Sequence, residues 1–125
     1  MAFVDVDRLK AVNDTAGHAA GDRLLIRVAD TLRHRLGSYD LVIRYGGDEF
    51  VCVFPDARAP DAERRLELVN EDLEHHGSIS FGVVTGGPGE GSAALVERAD
   101  VALYAVRATR PVEPAAGPPE ELPAP

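Results

Sequence analysis

Short apolar runs alternate with longer amphipathic segments along the first 110 residues of the chain. β-Branched and aromatic residues cluster in four runs that are typical of strands, at residues 1–7, 41–45, 50–54 and 78–85. Apolar residues recur at helical spacing in three longer segments, at residues 18–36, 59–75 and 92–106. The polar residues between 10 and 18 predict an irregular connection. The pattern therefore predicts four strands and three helices.

The order of these elements predicts the fold class. Up to the fourth strand, the order of elements is β-α-β-β-α-β, the pattern of a ferredoxin-like or palm-type sheet with helices packed on it. This is an α+β fold, and the third predicted helix is one extra C-terminal helix. From residue 111 onward Pro, Ala, Gly and Glu dominate, so this segment has too little apolar surface to offset the entropy lost on ordering. We expect one globular domain over residues 1–110 and a disordered tail over residues 111–125.

Two glycines and two acidic residues lie between the second and third predicted strands. Gly46 and Gly47 predict a tight hairpin turn, because glycine tolerates positive φ, and Asp48 and Glu49 then lie at the exposed tip. Two interpretations fit these residues. The turn is either an ordinary solvated one or part of a metal-nucleotide site, in which the missing side chains leave room for a large ligand.

Two aspartates close the first predicted strand. Asp5 is a candidate metal ligand, since a strand end and a neighbouring hairpin tip can bring Asp5 and Asp48 together. Asp7 is either a second ligand or the N-cap of the segment that begins at Arg8.

Charge and composition narrow the possible partners. The chain has 21 acidic and 13 basic residues, a net charge of −8, which argues against binding to nucleic acid or to an anionic membrane surface. No apolar run reaches the roughly 20 residues that span a bilayer, and no export signal opens the sequence. We therefore expect a cytoplasmic domain with no nucleic-acid or membrane contact by this segment. Cys52 lies inside an apolar run and is expected to be a buried structural thiol.

Four segments, taken in order, resemble the motifs of the GGDEF domain of diguanylate cyclases. They are DVDRLKAVNDTAGHAAGD at residues 5–22, RYGGDEF at 44–50, SFGV at 80–83 and RADVALY at 98–104. Because they are spread over most of the chain, the resemblance favours the metal-nucleotide interpretation of the turn.

The resemblance implies an activity and a set of partners. Members of this family condense two GTP molecules to cyclic di-GMP and release pyrophosphate, with Mg²⁺ or Mn²⁺ as cofactor. One GTP is bound by each subunit of an antiparallel homodimer, and each 3′-hydroxyl attacks the α-phosphate of the other nucleotide. A sensor or regulatory domain outside this chain is expected to control the reaction.

The resemblance also implies a role for individual residues. The metal ligands it implies are Asp5, Asp48 and Glu49, of which Asp48 and Glu49 are also catalytic. It implies that guanine is bound by Asn13 and Asp22 and phosphate by Lys10 and Arg107. Gly46 and Gly47 would give the substrate access to the site. Which of the two acidic residues of the turn acts as the base is left open.

This sequence departs from the family pattern in three places. The motifs begin almost at Met1, so the helix and turn that usually open the domain are absent, and we expect an N-terminally truncated domain. Arg107 stands where the family usually has a phosphate-binding lysine. The product-inhibition motif Arg-x-x-Asp is degenerate, because Gly37 replaces its arginine and only Asp40 remains.

These departures leave two functions open. The first is an active diguanylate cyclase. The second is a catalytically inactive GGDEF-like module that binds GTP or serves as a regulatory or dimerisation platform. If the domain is active, we expect no inhibition by micromolar cyclic di-GMP through the site of Asp40.

Overall fold

A four-stranded antiparallel sheet with the strand order β2-β3-β1-β4 organises the computed structural model, which describes residues 1–87 and 89–108. Its elements are β1 (Ala2–Val6), α1 (Leu9–Ala16), α2 (His18–Arg35), β2 (Leu41–Arg44), β3 (Glu49–Val53), α3 (Ala59–Leu73), a 3₁₀ turn (Glu74–His76), β4 (Ile79–Val83) and α4 (Ser92–Ala108). The predicted α+β class and the extra helix are confirmed. The predicted tail at 111–125 lies outside the described residues.

The register of the sheet places acidic residues side by side. β1 lies between β3 and β4, and Asp5 is paired with Glu49 on one side and Ser80 on the other. All five residues of β1 are buried, as expected for a central strand covered on both faces. The C-terminal end of β1 therefore meets the hairpin that joins β2 to β3.

The two faces of the sheet are covered by different helices. The larger core lies between one face and α2 and α3, where Val28, Leu32, Leu66 and Val69 are fully buried. α4 covers part of the other face through Ala99 and Leu103.

α4 approaches the sheet most closely at Gly82. A Cβ atom at this position would lie 2.4 Å from the backbone nitrogen of Leu103, so the close approach of helix and strand requires glycine.

Cys52 is fully buried, which confirms the expected structural thiol, and burial raises its pKa to about 12. Among the described helices, none combines the length and the apolarity that a bilayer-spanning helix needs.

The prediction of an irregular connection between residues 10 and 18 was wrong. Leu9–Ala16 forms α1, in which Leu9 is buried and Val12 packs on the core. Only two large apolar residues mark this two-turn helix, so its pattern is too short to produce a periodic signal. Contact with α2 stabilises α1 instead.

Candidate active site

Three acidic residues meet where β1 ends. The Val6 N–H group donates to the carbonyl of Asp48 at 2.8 Å, which attaches the hairpin to the end of β1. Asp5 is only 4% exposed, and its carboxyl group is within hydrogen-bonding reach of the carboxyl group of Asp48. Glu49 lies beside Asp5 through the strand register. The structure thus brings together the three residues for which the sequence predicted a metal-binding role.

These groups hold more negative charge than their surroundings neutralise. Burial, and then the charge of Asp48, raise the pKa of Asp5 to about 7, although nearby Arg107 opposes the shift. Burial, followed by the charges of Asp48 and Asp100, raises the pKa of Glu49. A cation at this place would relieve the repulsion between the carboxylates.

Arg107 reaches this site from the last turn of α4. Its Nη1 atom lies 2.9 Å from Oδ2 of Asp5, and half of its side chain is exposed. The residue that the sequence predicted as a phosphate contact is therefore paired with a predicted metal ligand. This ion pair joins residues from opposite ends of the chain.

The donor set agrees with a hard divalent cation whose coordination a nucleotide would complete. Within residues 1–87 and 89–108, no three acidic, histidine or cysteine side chains already form a ligand group for a metal ion. Mg²⁺ is commonly held by only one or two carboxylates, and substrate phosphates and water complete its coordination. Asp5 and Asp48 supply such a pair of carboxylates, so the site fits Mg²⁺ or Mn²⁺.

The predicted guanine-binding residues lie on two helices joined at Gly17. Gly17 has φ of 90° and separates α1, which carries Asn13, from α2, which carries Asp22. A Cβ atom at Gly21 would lie 1.7 Å from Oδ1 of Asn13, so the Asn13 side chain rests directly on the α2 backbone next to Asp22. Gly21 is thus a residue of this region that sequence reasoning missed. Lys10 is exposed in the first turn of α1.

The turn at Gly46 and Gly47 differs from the prediction in its backbone conformation. Neither glycine has positive φ, so the predicted need for a left-handed conformation was wrong. The amide groups of Tyr45 and Gly46 both donate to the carbonyl of Glu49, at 2.8 and 3.3 Å, and close a wider connection than a two-residue turn. A Cβ atom at Gly47 would meet nothing within 4 Å, and the space beside this residue is open.

Asp7 is bound to protein hydroxyl groups. Ser78 and Ser80 donate to its two carboxylate oxygens at 2.6 and 2.7 Å, which ties the end of β1 to the start of β4. It does not cap a helix, because α1 follows Arg8, which has a left-handed backbone conformation and no side-chain cap. The N-cap alternative for Asp7 was therefore wrong.

The degenerate inhibition motif is engaged in local contacts. Oδ2 of Asp40 accepts bonds from the Gly37 N–H group at 2.7 Å and from Nη1 of Arg65 at 2.6 Å, and its side chain is only 6% exposed. Arg35, the nearest arginine before the motif, makes two contacts with Asp72. Neither Asp40 nor Arg35 is therefore presented to a ligand in this arrangement.

A protein-family model matches most of the chain. The family model described as "Diguanylate cyclase, GGDEF domain" matches residues 1–111. The chain belongs to this family, which confirms the resemblance seen in the sequence.

Individual relatives show the same likeness. The chain is 39% identical over 116 residues to the probable diguanylate cyclase DgcE of Escherichia coli (strain K12), which covers 84% of this chain and 10% of DgcE. It resembles the crystal structure of the diguanylate cyclase SiaD in complex with its activator SiaC from Pseudomonas aeruginosa, with a TM-score of 0.81, 36% identity and coverage of 86% of this chain and 45% of that one.

A third similar protein is the GGDEF domain of DgcB from Caulobacter crescentus in complex with c-di-GMP. Its TM-score is 0.80 at 32% identity, with coverage of 87% of this chain and 72% of that one. The chain spans about a tenth to a quarter of the length of the curated relatives that it matches.

Proposed function

We propose that this domain is a diguanylate cyclase that condenses two GTP molecules to cyclic di-GMP and pyrophosphate. The observation that carries the proposal is the meeting of Asp5 and Asp48 at the end of β1, next to the open space at Gly47, in a chain of the GGDEF family. Phosphoryl transfer needs a site that neutralises phosphate charge and admits a large nucleotide. The carboxylates would hold a cation that neutralises the phosphates, and the open space at Gly47 leaves room for the nucleotide.

Asp5, Asp48 and Glu49 would hold Mg²⁺ or Mn²⁺. When bound, the ion neutralises phosphate charge and lowers the pKa of the attacking 3′-hydroxyl. The raised pKa of Asp5 means that its proton is lost near pH 7, and the carboxylate form is the one that binds metal. Asp48 and Glu49 are the candidates for receiving the proton of the hydroxyl.

Asn13 and Asp22 are proposed to select guanine. Guanine presents the N1–H group and the exocyclic amine as donors on one edge, and a carboxylate such as that of Asp22 accepts both. Adenine carries an unprotonated N1 there, which a carboxylate cannot bind. Asn13 adds a donor and an acceptor. Lys10 and backbone N–H groups at the start of α1 would bind phosphate.

Arg107 is proposed to exchange partners when substrate binds. In the nucleotide-free domain its guanidinium neutralises Asp5. If Asp5 held a divalent cation, the Arg107 guanidinium would no longer be paired with that carboxylate and could form a bidentate contact with a phosphate group.

The reaction requires two copies of the site. One set of guanine-binding residues holds one GTP, so we propose an antiparallel homodimer with a nucleotide on each subunit. The O3′ atom of one GTP forms a bond to the α-phosphorus of the other. The bond between that phosphorus and the oxygen that bridges the α- and β-phosphates breaks, and pyrophosphate leaves. Two such steps close the ring of cyclic di-GMP. We propose that a sensor or regulatory domain outside this segment controls the reaction, and that it takes place in the cytoplasm.

The alternative is a GGDEF-like module that binds GTP without turnover. The ion pair between Arg107 and Asp5 favours it, because a permanent pair would keep metal out. Incubation of the purified protein with GTP and Mn²⁺, followed by chromatography of the nucleotides, separates the two functions. Cyclic di-GMP supports the cyclase, whereas GTP binding without product selects the module.

A further inference from the structure

We propose that Arg44 is a positioning residue of the candidate active site. Its guanidinium fixes the turn that presents Asp48 and thereby sets where the carboxylate of Asp48 meets Asp5. The functional consequence rests on the proposed metal-dependent activity, whereas the structural step stands on the contacts of Arg44 alone.

Arg44 contacts two successive carbonyl groups of the turn. Its Nε atom donates to the carbonyl oxygen of Gly46 at 3.1 Å and its Nη2 atom to that of Gly47 at 2.8 Å. The backbone of Arg44 is itself fixed, since it is the last residue of β2 and is paired with Phe50 in β3. One rigid guanidinium therefore joins the ordered strand to the two glycines that follow it.

A pair of glycines needs such an external constraint. Glycine has the largest backbone freedom of all residues, and neither glycine here has a side chain that could hold the turn in place. On the side of β3, the amide groups of Tyr45 and Gly46 share a single acceptor, the carbonyl of Glu49. Arg44 instead binds the carbonyl groups of the two glycines.

Besides the bonds to the Glu49 carbonyl, two attachments hold the turn near the metal-binding carboxylate. At Asp48 it is attached to β1 through the Val6 N–H group, and at the glycines it is attached to Arg44. Loss of the second attachment would let the turn pivot about the first and displace the carboxylate of Asp48 from that of Asp5. The planar guanidinium donates to the two carbonyls from two nitrogens in a fixed geometry, whereas an ammonium group donates from a single nitrogen on a flexible stem and holds the turn less rigidly.

A direct phosphate contact is the competing role for Arg44, and metal binding without nucleotide separates the two. If Arg44 served only as a positive charge, its removal would strengthen the binding of Mn²⁺ to the carboxylates. If Arg44 positions Asp48, its removal weakens the binding of Mn²⁺ despite the more favourable charge. The two roles therefore predict effects of opposite sign.

The test uses Arg44→Ala, Arg44→Lys and the matched control Arg33→Ala. Arg33 lines the same groove between α2 and β2 and carries the same charge, but its guanidinium contacts Asp30 on α2. The first measurement is amide hydrogen exchange at Gly46 and Val6, whose N–H groups are bonded to the carbonyls of Glu49 and Asp48 in the turn, and it needs neither metal nor activity. We expect Arg44→Ala to accelerate exchange by about tenfold, Arg44→Lys by less, and the control not at all.

The second measurement is a Mn²⁺ titration without nucleotide, in which the electron paramagnetic resonance signal of free Mn²⁺ reports binding. We expect Arg44→Ala to bind Mn²⁺ about 3- to 10-fold more weakly than the wild type, with the control unchanged or slightly tighter. Unchanged amide exchange in Arg44→Ala would overturn the proposal, as would tighter Mn²⁺ binding. If the wild type made no cyclic di-GMP, the proposed function would fail while the exchange result would still decide the role of Arg44.

Discussion

Replacement of Asp5 by asparagine is expected to stabilise the metal-free domain at pH 8 and to abolish metal binding. Burial and the charge of Asp48 raise the pKa of Asp5 from 3.8 to about 7. The folded state thus holds the proton more tightly than the unfolded chain does. The resulting stabilisation is fully present below about pH 4, and it is lost as the pH rises through 7.

The size of the effect follows from this shift and from the ion pair. A pKa raised from 3.8 to about 7 corresponds to at most about 4 kcal/mol of lost stability at pH 8. Asparagine removes the charge but also loses the ion pair with Arg107. Because the Arg107 side chain is half exposed, this ion pair contributes about 1 kcal/mol or less. Because neighbouring carboxylates share the repulsion, we expect a net gain of about 2 kcal/mol, or roughly 10 °C in Tm.

Thermal and urea unfolding between pH 4 and pH 8, in the presence of a chelator, measures this gain. The difference between Asp5→Asn and the wild type should be small at pH 4, grow up to pH 7 and then level off. Asp30→Asn, at an exposed position of α2, is the control and should show no such trend. Added Mn²⁺ should stabilise the wild type and leave Asp5→Asn unchanged. A variant that is less stable than the wild type at pH 8, or a difference that is independent of pH, would refute the reasoning.

Three further predictions concern substrate and product. Gly47→Val should have a Tm within about 2 °C of the wild type, since the added side chain enters open space without backbone strain. It should nevertheless weaken GTP binding at least about tenfold in a titration, and wild-type affinity would refute the access role. Asp22→Ala should reduce the preference for GTP over ATP by about tenfold or more in competition binding, and an unchanged preference would remove Asp22 from the guanine site. Cyclic di-GMP should not bind at the site of Asp40 at micromolar concentration, because Asp40 is paired with Arg65 and Gly37 supplies no guanidinium. Micromolar binding that is lost in Asp40→Asn would contradict this.

The features that the sequence predicted correctly are those with a strong local signal. The long apolar periods of α2 and α3 and the β-branched strands gave the fold class, and the position of Asp5 at a strand end gave its meeting with Asp48. α1 was missed because eight residues are too few for a periodic pattern, and its stability comes from contact with α2.

The remaining features depend on contacts between distant parts of the chain. Asp7 is bound by Ser78 and Ser80, the first of which is 71 residues away, and no local motif distinguishes that role from a helix cap. The pairing of Arg107 with Asp5 depends on how α4 crosses the sheet. Positive φ at Gly46 and Gly47 was inferred from their residue type, whereas the wider turn and the contacts of Arg44 permit ordinary backbone angles.

Formation of cyclic di-GMP by the wild type and by Asp48→Asn is the most direct test of the proposed function. Both proteins, with Asp30→Asn as the matched control, are incubated with GTP and either Mg²⁺ or Mn²⁺, and the products are separated by chromatography. Because a neutral amide is a poor replacement for an anionic metal ligand, we predict product from the wild type and the control and none from Asp48→Asn. Loss of the Asp48 charge relieves its repulsion with Asp5, so Asp48→Asn should melt no lower than the wild type in the absence of metal. Full product from Asp48→Asn, or none from the wild type, would contradict the assignment of this site as a diguanylate cyclase.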